Sequence, residues 1–335
     1  MNYIGSKYSL LPFLEGTVRQ VVGDDLNDKV FCDIFAGTGA VGKAFKPNVM
    51  KVISNDCEYY SYVLNRNYIG NHKEIHNKEE YIDRLNSLSG VDDGFVYLNY
   101  CLGGGSGRQY FSDANGRKID AARRCVEQWR VSGEISDDLY FFLLCSLLES
   151  ADKSANTASV YGAFLKHLKA TASKPLVINP ALYTINENAR EVYCEDANLL
   201  IKRIQGDILY LDPPYNARQY GANYHLLNTI AEYRPFVPKG KTGLREYSRS
   251  LYCGRKTVKE AFEGLIRDAR FRYIILSYNN EGLMSLDEIK RAMSLYGHYD
   301  VVSRQYHRFR ADKEQNRNHL ASSTTEYLHI LEKSM

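Results

Sequence analysis

Residues 209–220 read LYLDPPYNARQY, an apolar run that stops at Asp212 and is followed at once by Pro213, Pro214 and Tyr215. Proline has no N–H and a fixed φ, so strand pairing halts here and the backbone stiffens. The Pro213 carbonyl is then free of the sheet and stands beside the Asp212 carboxylate. Two acceptors at a fixed separation match the two protons of an amino group on a planar ring, and Tyr215 supplies a flat face for that ring. Hydrogen bonds to both protons favour a more tetrahedral nitrogen, whose lone pair can attack an electrophilic carbon in line. Catalysis of this kind is positioning and electrostatic preorganisation, and the proton leaves once the nitrogen is cationic. The plainer reading is a proline turn that closes a buried strand, with Asp212 as a cap.

A second stretch, CDIFAGTGAVG, places Gly37, Gly39 and Gly42 in a G-x-G-x-x-G pattern, with Asp56 about 20 residues further on. Such a loop serves as a structural turn, as a dinucleotide site, or as a site for another nucleoside-bearing ligand whose ribose diol meets the acid. Asp33, four residues before Gly37, would oppose a pyrophosphate, whereas a sulfonium with an amino group tolerates it. S-adenosylmethionine is the expected cofactor, with S-adenosylhomocysteine as product.

These residues need strands to end beside one another. Short β-rich runs recur at Val30–Ile34, Lys51–Ser54, Glu191–Cys194, Asp207–Leu211, Arg272–Ser277, Tyr299–Ser303 and Glu326–Leu331. Their continuous apolar character suits strands buried on both faces. Helical patterns lie between several of them: GAVGKAF, YHLLNTIAEY, and SLDEIKRAM with a capping box at Ser285 and Glu288. The expectation is an α/β fold, a doubly wound sheet with its ligand at the carboxyl ends of the strands. The long gap between the second and third strands reads as an inserted, mostly helical domain, with helices expected over Ile119–Arg130, Asp138–Ser150 and Ser159–Ala170. Residues 1–70 and 189–335 would form the core, and 71–188 the insertion.

Of 335 residues, 44% are apolar and 25% charged, with a net charge of +3, as in a soluble globular protein. The apolar run Leu139–Leu148 is too short to span a bilayer, and the amino terminus lacks the apolar core of a signal peptide. A cytoplasmic location, in a bacterial or phage-associated setting, is expected, with no membrane partner. Seven scattered cysteines without a Cys-x-x-Cys pair indicate neither a zinc cluster nor a disulfide framework; Cys32 and Cys194 read as core thiols. Residues 234–259 carry eight basic side chains and one acid, which reads as a solvated loop or as a surface that meets phosphate.

The order of YIGSK, DIFAGTG, SND, EDAN and DPPY resembles the Dam-type, alpha-class DNA adenine methyltransferases, in particular the branch that includes the FokI and NlaIII modification methylases. Further stretches resemble that branch: RQYFSDANGRKID, NTASVYGAFLK, GKTGLR and SYNNEG. The resemblance implies a seven-stranded Rossmann-like methyltransferase sheet with an inserted target-recognition domain. It implies catalytic Asp212, Pro213, Pro214 and Tyr215. It also implies a cofactor site of Tyr3, Lys7, Asp33, Phe35, Gly37, Gly39, Asp56, Asp196, Ala197 and Asp212. The insertion precedes EDAN, so target reading is expected from 71–188 and from the basic segment 234–259.

A methylated base must leave the helical stack. Candidates to grip duplex DNA are Arg108, Tyr110, Phe111, Arg117, Lys118, Arg218, Gln219, Tyr220, Lys239, Lys241, Arg245, Arg308 and Arg310. His225 reads as a structural histidine, and Asn279 and Glu281 as residues that order the cleft. The expected function is transfer of methyl to the amino group of a flipped adenine in duplex DNA, by a monomer that could serve a restriction-modification system beside a cognate endonuclease. The alternatives are an RNA adenine methyltransferase and a DNA-binding module without turnover. A protein-amide methyltransferase would more usually carry Asn before the prolines, and a nicotinamide oxidoreductase lacks a catalytic set here.

Overall fold

The computed structural model describes residues 7–307 and 323–334. The chain divides into two compact units. The described residues of Ser6–Cys57, Asn188–Gln219 and Arg249–Met335 form one, and Glu58–Glu187 with Tyr220–Ser248 form the body of the other.

The first unit holds a seven-stranded sheet. Its strands are β1 (Val30–Asp33), β2 (Lys51–Asn55), β3 (Ala189–Tyr193), β4 (Gln205–Leu211), β5 (Arg270–Asn279), β6 (Gly297–His307) and β7 (Ser323–Lys333). Their spatial order is β3-β2-β1-β4-β5-β7-β6. All neighbours are parallel except β7, which runs antiparallel between β5 and β6. The Rossmann-like expectation holds. All seven apolar runs fall on strands, because a central strand covered on both faces needs an uninterrupted apolar sequence. On one face, the helices Val258–Asp268 and Leu286–Ser294 pack Phe262, Leu265, Ile266, Ile289 and Met293 against Cys32, Leu209, Leu211, Ile274 and Leu276. On β1 the next side chain along points the other way, and Phe31 stacks on Phe45 of the helix Ala40–Phe45 at 4.2 Å. Ser285 and Glu288 form the expected capping box. Cys32 is a core thiol as read, but Cys194 is exposed, since the chain leaves β3 one residue earlier.

The second unit is built on two long helices, Asp113–Val131 and Asp137–Ser154. Each is capped by a serine: Ser112 accepts from the amide of Asn115, and Ser136 from that of Leu139. The borders differ from the expected ones. The unit begins at Glu58 rather than 71, and it takes in 220–248, which the sequence placed with the core. Side chains explain this. The Arg123 guanidinium donates to the carbonyls of Ile230 and Ala231 at the end of the helix His225–Glu232. The Tyr60 amide donates to Asn228 Oδ1 at 2.9 Å. The helix expected over Ser159–Ala170 does not form, which corrects the sequence reading; residues 159–169 are not helical and only Ala170–Ser173 forms a short turn of helix. Asn156 takes two backbone groups of residues 159–169 instead: its Nδ2 donates to the Leu165 carbonyl, as it also does to that of Gln109, and its Oδ1 accepts from the Lys169 amide. Among the described residues, no helix is long and apolar enough to cross a membrane.

Candidate active site

The parallel strands β3, β2, β1 and β4 end on one edge of the sheet. Chain direction changes sides between β1 and β4, the place where open α/β sheets hold ligands. After β1 the chain turns through Gly37 and Gly39, with φ of +52° and +75°. A side chain at either would be strained, so glycine is required by the backbone there. The Gly37 amide donates to Asp56 Oδ2 at 2.8 Å, which fixes the acid at the end of β2 against the turn. Phe35 packs edge-on against Tyr252, with ring centroids 4.9 Å apart.

Asp33, at the end of β1, is fully buried, and neither oxygen has a hydrogen-bond partner among the described residues. Burial, then the charges of Asp212 and Asp56, raise its carboxyl well above the usual range; the Gly42 and Phe35 amides face it and partly offset this. Asp196 caps the short helix Ala197–Leu200, accepting from the Leu199 amide. Ala197 follows it and is buried.

Sequence reasoning missed Asn55, the last residue of β2. Its Nδ2 donates to the carbonyls of Ile34 and Glu195, both at 3.1 Å, and its Oδ1 accepts from the Glu195 amide at 3.0 Å. This one buried amide ties together the turns that carry Phe35 and Asp196. Its signal in sequence was an asparagine at the end of a strand, just before Asp56 in the SND stretch.

At the end of β4, Asp212 keeps a side chain 18% exposed and meets Lys7 Nζ at 3.1 Å. Burial pushes its carboxyl up to about 6; Lys7 opposes this, and Glu326 adds to it. Burial likewise works against the Lys7 ammonium, but Asp212 and Glu326 overcome it and hold its pKa well above the ordinary value. Among the described residues, no donor is hydrogen-bonded to the Pro213 carbonyl. Pro213 is buried and Pro214 half-buried. Tyr215 stands edge-on to Tyr278 at 6.4 Å, with Lys7 Nζ 6.0 Å from its ring centre. The Tyr215 carbonyl accepts from the Leu283 amide at 3.0 Å, which anchors the loop. Asn279 Oδ1 accepts from the Glu281 amide and so shapes the turn after β5. Tyr3, Arg308 and Arg310 lie outside the described residues.

The geometry unites Lys7 from the amino-terminal segment with Asp33, Phe35, Gly37, Gly39, Asp56, Asp196, Asp212, Pro213 and Tyr215, on the strand ends or in the loops that follow them, in one unit. A family model for D12 class N6 adenine-specific DNA methyltransferases matches residues 3–292. The chain belongs to that family. It is 62% identical over 334 residues to "Type II methyltransferase M.NlaIII" of Neisseria lactamica, with 100% of each chain covered. It is 37% identical to "Type II methyltransferase M.FokI" of Planomicrobium okeanokoites, over 100% of this chain and 53% of that one. It is 38% identical to "Type II methyltransferase M.CviAII" of Paramecium bursaria Chlorella virus 1, over 93% of each. This D12 class methyltransferase is thus an adenine-specific DNA-modifying enzyme of the branch its motifs resembled.

Several residues read as DNA contacts are occupied otherwise. Tyr110 and Phe111 are fully buried; the Tyr110 hydroxyl donates to the Tyr161 carbonyl at 2.7 Å, and its ring packs among Tyr100, Phe164 and His225. They are core residues of the helical unit and cannot fill a gap in DNA, which corrects that reading. The Arg108 guanidinium donates to the carbonyls of Asn99, Gly240 and Lys241. Arg117 bonds Asp92 and the Tyr97 hydroxyl, with its guanidinium 3.9 Å from the Tyr97 ring centre. Lys118 donates to the carbonyls of Asn86 and Leu88. All three cations are committed within the unit. Gln219 Oε1 accepts from the Ser250 amide at 2.8 Å and so orders a loop.

Other candidates stay at the surface. Arg218 and Lys241 are exposed, and Tyr220 is half-buried against Tyr224. Lys239 pairs with Glu246, and Arg245 with Glu232. Lys239 and Leu244 bridge a small hairpin, turned by Gly240 and Gly243 at φ of +67° and +72°. The Tyr100 hydroxyl donates to the Gly243 carbonyl at 2.7 Å. His225 is structural as read: it is buried, with Nε2 3.1 Å from the Tyr161 carbonyl.

Proposed function

We propose that this methyltransferase takes its methyl group from S-adenosylmethionine and that Asp212, Pro213 and Tyr215 present the adenine amino group for attack. The observation that carries the reading is the pairing, on one stiffened turn, of the Asp212 carboxylate with a Pro213 carbonyl that has no donor among the described residues.

The cleft residues fit the cofactor. The left-handed glycine turn admits close backbone approach, Asp56 is fixed where a ribose diol would meet it, and the unsatisfied buried carboxyl of Asp33 suits a ligand carrying positive charge and N–H donors. When bound, S-adenosylmethionine supplies an electrophilic methyl on a positively charged sulfur, leaving as S-adenosylhomocysteine. Lys7, Phe35, Asp196 and Ala197 complete the proposed cofactor site, with Tyr3 assigned by motif alone.

The protein's own part is positional. Asp212 and the Pro213 carbonyl accept the two amino protons and Tyr215 stacks on the ring, so the lone pair turns out of conjugation. Flipping the base costs about a few kcal/mol. We assign the grip on duplex DNA to the exposed Arg218, Lys239 and Lys241 with the half-buried Tyr220 and Arg245 beside them in sequence, and target recognition to the helical unit. The names of the relatives support a modification role in a restriction-modification system, with a cognate endonuclease as partner. An RNA substrate is set aside, because the family is defined on DNA.

The test is transfer of labelled methyl to duplex DNA. Asp212→Ala is expected to abolish it with the fold retained, since Lys7 keeps its bond to Glu326. Transfer at the wild-type rate by that variant would end the catalytic reading. Mapping modified bases after expression in a methylation-deficient host would return one consensus containing methyladenine.

A further inference from the structure

Glu326 sits on β7, the antiparallel strand that faces β5, and is 6% exposed. Its Oε1 accepts from Lys7 Nζ at 2.9 Å and from Ser277 Oγ at 2.6 Å. Lys7 reaches on to Asp212 Oδ1 at 3.1 Å. Lys7 is therefore one buried cation shared between two carboxylates, and Ser277 on β5 fixes the second of them. A buried ammonium facing Asp212 alone would form a closed ion pair and weaken that carboxylate as an acceptor for anything else. Sharing prevents this.

Building on the reading of Asp212 as the acceptor for the amino group, we propose that Glu326 is a positioning residue for methyl transfer. It anchors Lys7 from β7 and draws off part of its charge, so that Asp212 is held in place yet still accepts strongly from the substrate.

The sign of its effect follows from the groups that face Asp212. These are Lys7 from the amino-terminal segment, Glu326 from β7, Asp33 from β1, Tyr210 from β4 and Tyr215 from the loop. Asp33 and both tyrosines are held toward their neutral forms, chiefly by burial. The charge balance at Asp212 thus rests on Lys7 and Glu326. With Glu326 neutralised, Lys7 acts on Asp212 alone, the carboxylate is favoured, and its protonation moves to lower pH.

The experiment measures kcat and KM for labelled methyl transfer to duplex DNA across pH 5 to 8. It compares the full-length wild type with Glu326→Gln, Lys7→Gln and Asp212→Ala. Glutamine at 326 keeps an oxygen for Ser277 and Lys7 but carries no charge. Expected for Glu326→Gln are an acid limb displaced downward by about one pH unit and a plateau kcat reduced roughly tenfold, with KM little changed. Lys7→Gln should displace the limb upward, and it provides the reading if Glu326→Gln fails to fold. An unshifted limb in Glu326→Gln overturns the proposal, even if activity falls evenly at every pH, since an even fall marks a structural role alone. An unshifted limb in both variants overturns it equally. Asp212→Ala separates the two levels: activity in that variant sinks the catalytic reading itself, whereas an inactive Asp212→Ala beside an unshifted Glu326→Gln sinks only this inference.

Discussion

The Asn55 side chain pairs with the backbone of Glu195 in both directions, donating to its carbonyl at 3.1 Å and accepting from its amide at 3.0 Å. A side-chain amide here does what a peptide group does in a sheet. It extends the pairing of β2 and β3 one step past the last strand residues, into the turn that carries Asp196. Removing it leaves a buried amide and carbonyls without partners, at a cost of about 1–3 kcal/mol. Asn55→Ala is expected to lower stability by that order in urea titration. It should also raise KM for the methyl donor about tenfold, with a smaller change in kcat, because both turns lose their tie. An unchanged KM would detach Asn55 from the site.

Asp212 is held in a state the fold resists. Its carboxyl titrates near 6 in the folded protein, against 3.8 for an ordinary aspartate, with burial the main cause. A carboxyl raised by folding costs stability as pH climbs between those two values, because the unfolded chain ionises first. Asp212→Asn is therefore expected to be more stable than wild type at pH 7, by on the order of 1–3 kcal/mol. The two should converge near pH 4. Thermal melts at the two pH values check this, and the same variant should have lost methyl transfer. A wild type more stable than Asp212→Asn at neutral pH would contradict the strain.

His225 works in the opposite direction. Burial, with smaller contributions from the Arg245 and Arg108 charges, lowers its pKa to about 4. The folded protein refuses a proton that the unfolded chain accepts below about 6.5. Stability is then lost as pH falls from 6.5 toward 4, on the order of 2 kcal/mol by pH 5. Urea titrations at pH 7 and pH 5 should show a shallower decline in His225→Gln than in wild type. His329 is depressed by burial in the same way, so the difference between the two proteins, and not the wild-type slope, is the quantity to read.

Surface cations divide into spent and available. Lys241→Ala is expected to weaken binding to duplex DNA and to reduce the slope of log affinity against log salt by about 1. Arg117→Ala should leave that slope unchanged and lower the melting temperature instead, since its guanidinium is bound to Asp92 and Tyr97. A reduced salt slope for Arg117→Ala would show that the pairing opens on DNA.

The sheet was legible because buried strands need unbroken apolar runs, and the catalytic turn because acid, prolines and aromatic ring are adjacent in the chain. What could not be read depends on partners distant in sequence. A lone Asn55 or Glu326 inside a strand looks like any polar residue until 140 or 319 residues of chain bring its partner beside it. Arg108, Arg117 and Lys118 look available in a sequence because a sequence shows charge without showing what the charge is bonded to. Ser159–Ala170 has enough apolar character for a helix, yet one asparagine, Asn156, captures the backbone groups that a helix would have used. The unit border failed for a similar reason: Arg123 binds the end of the helix His225–Glu232 across more than 100 residues.

The hairpin at 239–244 separates scaffold from message. Its shape is held from beneath, by Arg108 and Tyr100 gripping main-chain oxygens and by two glycines that bend the backbone. None of those restraints involves the side chains at its tip, Lys241 and Thr242. Those two positions can be rewritten without refolding the loop, so an evolutionary lineage can alter what the tip touches one residue at a time, while the platform beneath it stays constant.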